Sequence, residues 1–417
     1  MANIYPFCAV RPPADKAAAV SSPPYDVMSR SEATEMAADN PVSFLHVTRS
    51  EIDLPETCNP YSETVYQKAR ENYKALKQDV PLTRDTTPAY YVYALEINGH
   101  RQIGIAATAA VEDYRKNVIL KHEKTRRQKE DDRTNHILTT GAQTGPVFLT
   151  YKDRQPIDEI VDRTVNQAHA VADFKGEDGV RNTVWKIAEE DNAKLQRQLA
   201  ELPNLYIADG HHRAASAARA CESIAGEGNN SSNGSASDDP AGRFLAVIFP
   251  ASQLRILAYN RVIEDLNGMT AEQFLKKLEN TPFKLEKSTK KEPPSPRSIC
   301  MYLAREWHLL TFTGNLEGMP ASDALDVAIL QREILDPILS ISDPRVDERI
   351  DFVGGIRGVR ELEKRVDSGE SSKLAFSMYP TTVEQLMAVS DAGQIMPPKS
   401  TWFEPKLRDG LLIHEIS

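Results

Sequence analysis

The chain has 417 residues, with 50 Lys and Arg against 60 Asp and Glu, a formal net charge of −10 and 41% hydrophobic residues. That length exceeds what one small core can organise, so about two or three packed layers or domains are expected. The acidic balance disfavours general nucleic-acid binding, which needs a basic surface to displace counterions, and no run reaches the roughly 18 apolar residues of a membrane span.

The N-terminus, Met1-Ala-Asn-Ile-Tyr-Pro, lacks a basic segment followed by an apolar one, so no secretory signal is visible and a cytoplasmic location is expected. Cys8, Cys58, Cys221 and Cys300 are scattered without any close pair and read as buried or free thiols. The proline-rich stretch up to Ser22-Pro-Pro-Tyr25-Asp26 is a fixed loop or edge segment, in which Arg11, Tyr25 and Asp26 either line a pocket or form a structural wrap. Ser29 followed by Glu32 has the spacing of a capping box for a helix to Ala38. His46 sits among apolar residues and reads as a core histidine, and Ser62 to Lys77 is amphipathic. Asn98-Gly99 between two β-rich runs, Ala89–Ile97 and Arg101–Val111, is a hairpin signal.

Next comes Lys121-His-Glu-Lys-Thr-Arg-Arg-Gln-Lys-Glu-Asp-Asp-Arg133, which is expected to be helical to Leu138. On a helix, His122, Arg126, Lys129 and Arg133 share one face, and a stripe of like-signed groups repels itself unless an anion lies against it. Arg126 and Lys129 then read as phosphate holders, a planar fork and a point charge. Glu123, on an adjoining face beside cations, is the candidate general base. A strand at Pro146–Tyr151, a helix at Ile157–Val171, turns at Asp173 and Asp178-Gly179, a strand at Thr183–Ile187 and a helix at Asp191–Leu202 follow, with Trp185 assigned to the core.

The densest motif is Asn204-Leu-Tyr-Ile-Ala-Asp209-Gly210-His211-His212-Arg213-Ala-Ala. It reads as a short buried strand, a tight turn and an alanine-rich helix. The free N–H groups of such a helix's first turn, the helix dipole, two histidines and an arginine make an anion site suited to phosphate. Asp209 is either the cap or a ligand for a phosphate-bound magnesium ion. Residues 226–242, rich in Gly, Ser, Asn and Asp, read as a flexible insertion, after which the sheet resumes at Phe244–Phe249 and Ile256–Ile263. Beyond it the chain alternates strands and helices, with a helix at Ser322–Leu335, a glycine cluster at 354–358 and a strand at Lys373–Met378. The proline loop Met396-Pro-Pro-Lys399-Ser400-Thr401 presents Lys399 and Ser400 either as part of a phosphate site or as an ordinary turn.

The Asp209–Arg213 string with its following alanines resembles the phosphate-binding box of the ParB/sulfiredoxin-like superfamily, in particular its free-serine-kinase branch. The blocks at 22–26, 40–47, 121–126 with 129–133, and 396–401 resemble the domain-of-unknown-function family ten-fifteen. The resemblance implies a mixed α+β fold, a ParB/sulfiredoxin-like nucleotide-binding core with N- and C-terminal elaborations. Three regions are expected: residues 1–145, a core at 146–265 holding the insertion, and 266–417. Where that family commonly shows a His-Arg pair this chain has Asn260-Arg261, which removes a catalytic histidine and leaves Arg261 able to meet a phosphate.

The function expected is a phosphotransferase moving phosphate between ATP or ADP and a small hydroxyl compound, serine being favoured by the resemblance. Gly210, His211 and Arg213 cradle phosphate with His122, Arg126, Lys129, Arg133, Lys399 and Ser400; Glu123, Asp209 and His212 carry the chemistry; Mg²⁺ rests on Asp209. The alternatives are a phosphatase of a small phosphorylated metabolite such as phosphoserine, and a non-catalytic nucleotide-binding switch or scaffold. The partners are a nucleotide and a small molecule, with neither nucleic acid nor membrane. The sequence leaves the oligomeric state open.

Overall fold

The computed structural model describes residues 1–227, 239–369 and 372–416. The architecture is mixed α and β, and the chain divides into two compact units, residues 1–254 with 405–417 and residues 255–404. Helices of eight or more residues and strands of five or more are numbered here in chain order. In the first unit these are α1 (Arg30–Ala37), α2 (Glu63–Asp79), β1 (Tyr91–Ile97), β2 (His100–Ala110), α3 (Arg127–Thr140), β3 (Val147–Tyr151), α4 (Gln155–Gln167), β4 (Ala170–Lys175), β5 (Arg181–Lys186), α5 (Glu189–Ala200), β6 (Leu205–Asp209), α6 (His211–Glu227) and β7 (Arg243–Pro250).

The strands of the first unit make one mixed sheet in the order Ile119–Leu120, β6, β3, β7, β2, β1, β5, β4, with Ile4–Tyr5 also paired to β2. The β1–β2 hairpin turns on Asn98 at φ 50° and Gly99 at φ 76°, the double left-handed turn that asparagine and glycine accept without strain. Both neighbours of β7 precede the 226–242 run in sequence: β3 pairs with it in parallel and β2 antiparallel. The insertion therefore interrupts a sheet that continues across it, as expected. Of the insertion itself, residues 228–238 lie outside the described residues, while Gly226 still belongs to α6 and Pro240–Gly242 is a 3-10 turn capped by Asp239. Of the regions read from sequence, 1–145 and 146–265 both contribute strands to this sheet.

Period-2 alternation aims Val92, Ala94, Ile105, Ala107, Val147, Leu149, Leu205, Ile207, Ala246 and Ile248 into one core. Against them lie Ile157 and Ile160 of α4, Leu195 and Leu199 of α5, and Ala214, Ala217 and Ala218 of α6. Each large aliphatic group buried there contributes about 1.5–3 kcal/mol. The alanines bring α6 close to the sheet while its other side meets α3, where Ser216 Oγ donates to the Glu130 carbonyl (3.0 Å) and Arg219 bridges Glu130 and Asp131.

The second unit is built on a six-stranded antiparallel sheet that includes β8 (Tyr259–Ile263), so the run 256–263 does not extend the first sheet as the sequence suggested. The helix expected at 322–335 is shorter, Asp326–Leu330 followed by a π-turn to Leu335. Asp173, expected in a turn, lies within β4, whereas Asp178-Gly179 does turn, with Gly179 at φ 80°. The Ser29–Glu32 capping box is formed, Ser29 N–H donating to Glu32 Oε2 (2.7 Å) and Glu32 N–H to Ser29 Oγ (3.2 Å). Cys8, Cys58, Cys221 and Cys300 are free thiols. Among the described residues no helix is long and apolar enough to cross a membrane.

Residues 405–417 fasten the first unit. Asp409 and Ser22 exchange backbone hydrogen bonds (2.9 and 3.1 Å), Gly410 N–H donates to the Thr144 carbonyl (2.9 Å), and His414–Glu415 pairs with Ala142–Gln143. Gly410 has φ +75°, and a β-carbon there would stand 2.3 Å from Phe44 Cγ. Replacing Gly410 with Ala adds both left-handed strain and overpacking, so Gly410→Ala is expected to destabilise the first unit by about 2–4 kcal/mol. Thermal or urea unfolding of the full chain checks this, and an unshifted transition contradicts it.

Candidate functional site

The apolar run Leu205–Ala208 buries β6 and delivers Asp209 at its C-terminal end. Gly210 follows at φ +88°, and a β-carbon there would lie 3.0 Å from Arg213 Nε, so the turn needs glycine for its backbone and for the close guanidinium. α6 starts at the next residue. The N–H groups of His211, His212 and Arg213 have no carbonyl partner inside the helix and carry its positive end. Asp209 does not cap these donors, because its Oδ1 accepts the Gly210 N–H (2.9 Å) and its Oδ2 accepts Lys406 Nζ (2.9 Å). Arg213 Nη2 stands 4.0 Å from the same Oδ2, and Nη1 donates to the Pro146 carbonyl (2.6 Å). Burial alone raises the Asp209 pKa, but Lys406 and Arg213 outweigh it and hold the carboxyl well below the usual carboxylate range.

The segment 121–126 lies against this first turn, but as a loop. Ile119–Leu120 is a strand paired in parallel with β6, and the helix begins only at Arg127, with Arg126 extended at φ −96°, ψ 127°. The expected stripe of His122, Arg126, Lys129 and Arg133 is therefore not formed. The N–H of His122 donates to His211 Nε2 (3.4 Å) and the N–H of Arg126 to His212 Nε2 (3.0 Å). These tertiary bonds take backbone donors that a longer helix would present at its own start. The His122 ring is buried edge-on to His211, centroids 4.4 Å apart, and Glu123 Oε2 is 3.7 Å from His211 Nδ1.

Each of the three histidines is kept neutral. Burial lowers the His122 pKa to about 4, takes His211 well below its ordinary value, and lowers His212, with Asp26 and Glu130 opposing and Lys129 and Arg126 reinforcing. A ring nitrogen that accepts an N–H must in any case be unprotonated. The expectation that histidines supply positive charge at the turn is thus corrected: Arg213 and Lys406 supply it, and the histidines hold the loop.

The remaining expected residues are dispersed. Arg126 is exposed, and Lys129 Nζ lies 5.7 Å from the Tyr61 ring centroid. Arg133 is drawn inward, its Nε on Asp132 Oδ2 (2.9 Å), its Nη1 near the Thr48 carbonyl (3.4 Å) and its guanidinium 4.3 Å from the Tyr25 ring centroid. Lys399 and Ser400 belong to the second unit: Lys399 has φ 55°, and Ser400 Oγ donates to the Pro397 carbonyl (2.6 Å). In that unit Arg261 is buried, with Nη2 donating to the Lys399 carbonyl (3.0 Å) and the guanidinium 5.3 Å from the Phe352 ring centroid.

Three further groups join the turn: two that the sequence did not single out, Lys406 and Asp409, and Asp26, which it left open between pocket lining and structural wrap. Lys406 grips Asp209, the exposed carboxylate of Asp26 acts on both His212 and Arg213, and Asp409 is buried beside Arg213 and Arg133. The string Lys406-Leu-Arg-Asp409-Gly410, two cations and a carboxylate before a glycine, was the available signal for Lys406 and Asp409.

A magnesium ion on protein ligands does not fit this arrangement. Both Asp209 oxygens are engaged, one by a cation, and among the described residues no group of three or more His, Cys, Asp or Glu could hold a metal.

The chain matches, over residues 4–328, the family described as "Protein of unknown function (DUF1015)", which spans more than three quarters of its length. The chain belongs to that family. No curated protein matches it. Among solved structures, the chain is similar to a free serine kinase in complex with AMP, at TM-score 0.36 and 13% identity over 72% of this chain and 86% of that one. It is similar to SbnI with a C-terminal truncation from Staphylococcus aureus at TM-score 0.38 and 11% identity, over 72% and 84%. It is also similar to a conserved hypothetical protein from Pyrococcus furiosus at TM-score 0.33 and 13% identity, over 73% and 94%.

Within this family member's first unit, burial pushes the Asp409 carboxyl up to about 7, Asp26 adds to the shift, and Arg213, Arg133 and the Tyr25 N–H oppose it. Between about pH 4 and pH 7 the folded chain keeps a proton that the unfolded chain has lost, so this group's contribution to stability falls as pH rises through that window. Asp409→Asn removes the penalty. The variant is expected to gain on the wild type across that window by up to about 4 kcal/mol, at 1.36 kcal/mol per pKa unit. Denaturant unfolding at a series of pH values checks this, and a constant difference between the two proteins contradicts it.

Proposed function

We propose that the chain is a phosphotransferase that holds the phosphates of ATP or ADP at the 209–213 turn and moves a phosphoryl group between the nucleotide and a small-molecule hydroxyl. One observation carries the reading: a left-handed glycine opens a helix whose first three N–H groups stand beside Arg213 and the Asp209–Lys406 pair. Phosphoryl transfer asks mainly for positioning and for neutralising charge, and such a helix terminus offers both. In this reading Gly210, His211 and Arg213 cradle phosphate, with Lys406 as the added cation, and Arg126 and Lys129 serve phosphate or nucleotide. His122 and Arg133 support the loop and the helix from within. Asp209 orients Lys406 and the acceptor hydroxyl, and Glu123 takes the proton that the hydroxyl loses as its oxygen bonds to the terminal phosphorus, while the bond from that phosphorus to the bridging oxygen breaks and the oxygen leaves on the shortened nucleotide. His212 keeps Nδ1 for the substrate, since Nε2 accepts from Arg126. Asp26, on the N-terminal segment, is a second carboxylate whose charge acts on His212 and Arg213 of the turn. Serine is the first acceptor to test, on the resemblance of the 209–213 string, and any magnesium would arrive with the nucleotide.

The pure protein is to be incubated with ATP or ADP in the presence and absence of serine, and separately with phosphoserine. Serine-dependent nucleotide consumption is the expected result. Phosphate release from phosphoserine without nucleotide would replace the reading with a phosphatase, and saturable nucleotide binding without turnover would replace it with a switch. Glu123→Gln and His212→Ala are each expected to lower turnover by about two orders of magnitude or more. Undiminished activity in both would remove these assignments, and a loss in Asp26→Asn alone would transfer the base to Asp26.

A further inference from the structure

Behind the turn, inside the first unit, lies a cavity of about 30 Å³ lined by Tyr25, Arg133, His136, Gln143, Arg213 and Asp409, among others. That volume suits one or two waters, and the lining is polar enough to hold them. Two of the residues that line it carry a buried atom without a hydrogen-bond partner: the donor Arg213 Nε and the acceptor Asp409 Oδ1. Buried polar groups in folded proteins are rarely left unmatched, so an unmatched donor and an unmatched acceptor on residues around one small cavity point to contact through water. No direct ion pair joins Asp409 to either arginine among the described residues. Arg133 is committed to Asp132, and Arg213 reaches toward Asp209 and the Pro146 carbonyl.

Arg213 is thus shared. Its guanidinium reaches the 209–213 turn and the Pro146 carbonyl, while the residue lines the same cavity as Asp409, whose charge acts on it. We infer that Asp409 is a positioning residue for the anion at this turn, competing with that anion for Arg213 across the cavity, so that anion binding draws a proton from solvent onto Asp409. This rests on the phosphate-binding reading above and adds a co-ligand to it. The balance is one anion and one proton taken up together, with no bond made or broken at phosphorus.

The groups facing Asp409 come from three directions. Tyr25 and Asp26 stand on the N-terminal segment, Arg133, which is paired to Asp132, and His136 on α3, and Arg213 on α6. Tyr25 is pushed up by burial and stays a phenol. His136, whose Nε2 lies 2.9 Å from the Val47 carbonyl, is pushed down to about 4 by burial. Neither changes charge near neutral pH. Asp409 has a direct steric link to the backbone as well, since a β-carbon on Gly145 would stand 2.2 Å from its Oδ1.

The test is ADP binding by calorimetry at pH 8 in two buffers of different ionisation heat, which counts protons taken up per ADP bound. The wild type is expected to take up a substantial fraction of one proton, and its affinity to weaken by up to about tenfold per pH unit above neutrality. Asp409→Asn is expected to take up close to none and to bind with an affinity flat in pH. Equal proton uptake in the two proteins overturns the inference while leaving the anion site standing. Failure of ADP to bind the wild type overturns both. A second measurement needs no variant: in wild-type protein with carbon-13-labelled aspartate, the carboxyl that titrates near neutrality should shift its midpoint upward by a unit or more on saturation with ADP, and an unmoved midpoint contradicts the proposal.

Discussion

Two backbone donors, the N–H groups of His122 and Arg126, end on the ring nitrogens of His211 and His212, and the site depends on that pair of bonds. They hold the 121–126 loop against the opening of α6, and they require both rings to be unprotonated, a state that burial enforces. Loop, turn and helix are consequently one object. A buried imidazole with a satisfied acceptor stiffens the turn without adding charge, so the attraction for an anion falls to Arg213, Lys406 and the helix end.

The cations near the turn are not left to repel one another. Lys406 lies on Asp209, Arg133 on Asp132, and Arg219 ties α6 to Glu130 and Asp131 of α3. Arg213 is divided among several carboxylates, and its Nε is without a hydrogen-bond partner. A guanidinium held that way has somewhere to send its charge when an anion arrives. Removing a cation that neutralises a buried carboxylate leaves that carboxylate uncompensated, which makes the cluster costly to dismantle and sensitive to pH.

The 205–213 motif was legible because everything that shapes it is local: an apolar run, Asp-Gly, then alanines small enough for α6 to approach the sheet. The hairpin at Asn98-Gly99 and the capping box at Ser29 were legible for the same reason. Residues 121–126 were misread as helix because lysine, glutamate and arginine favour helices, and nothing within the string announces that histidines some 90 residues onward take its N–H groups. Lys406 and Asp409 were missed because a whole second unit, residues 255–404, intervenes between them and the rest of their own unit. The Met396–Thr401 block drew attention to Lys399 and Ser400, while the lysine that meets Asp209, Lys406, lies just beyond it.

The central claim is that the opening turn of α6 is where phosphate sits. A crystal structure of the chain grown with ADP tests it most directly. The account predicts phosphate oxygens within hydrogen-bond distance of the N–H groups of residues 211–213, with Arg213 and Lys406 turned toward them. ADP bound elsewhere, with this turn untouched, would contradict it.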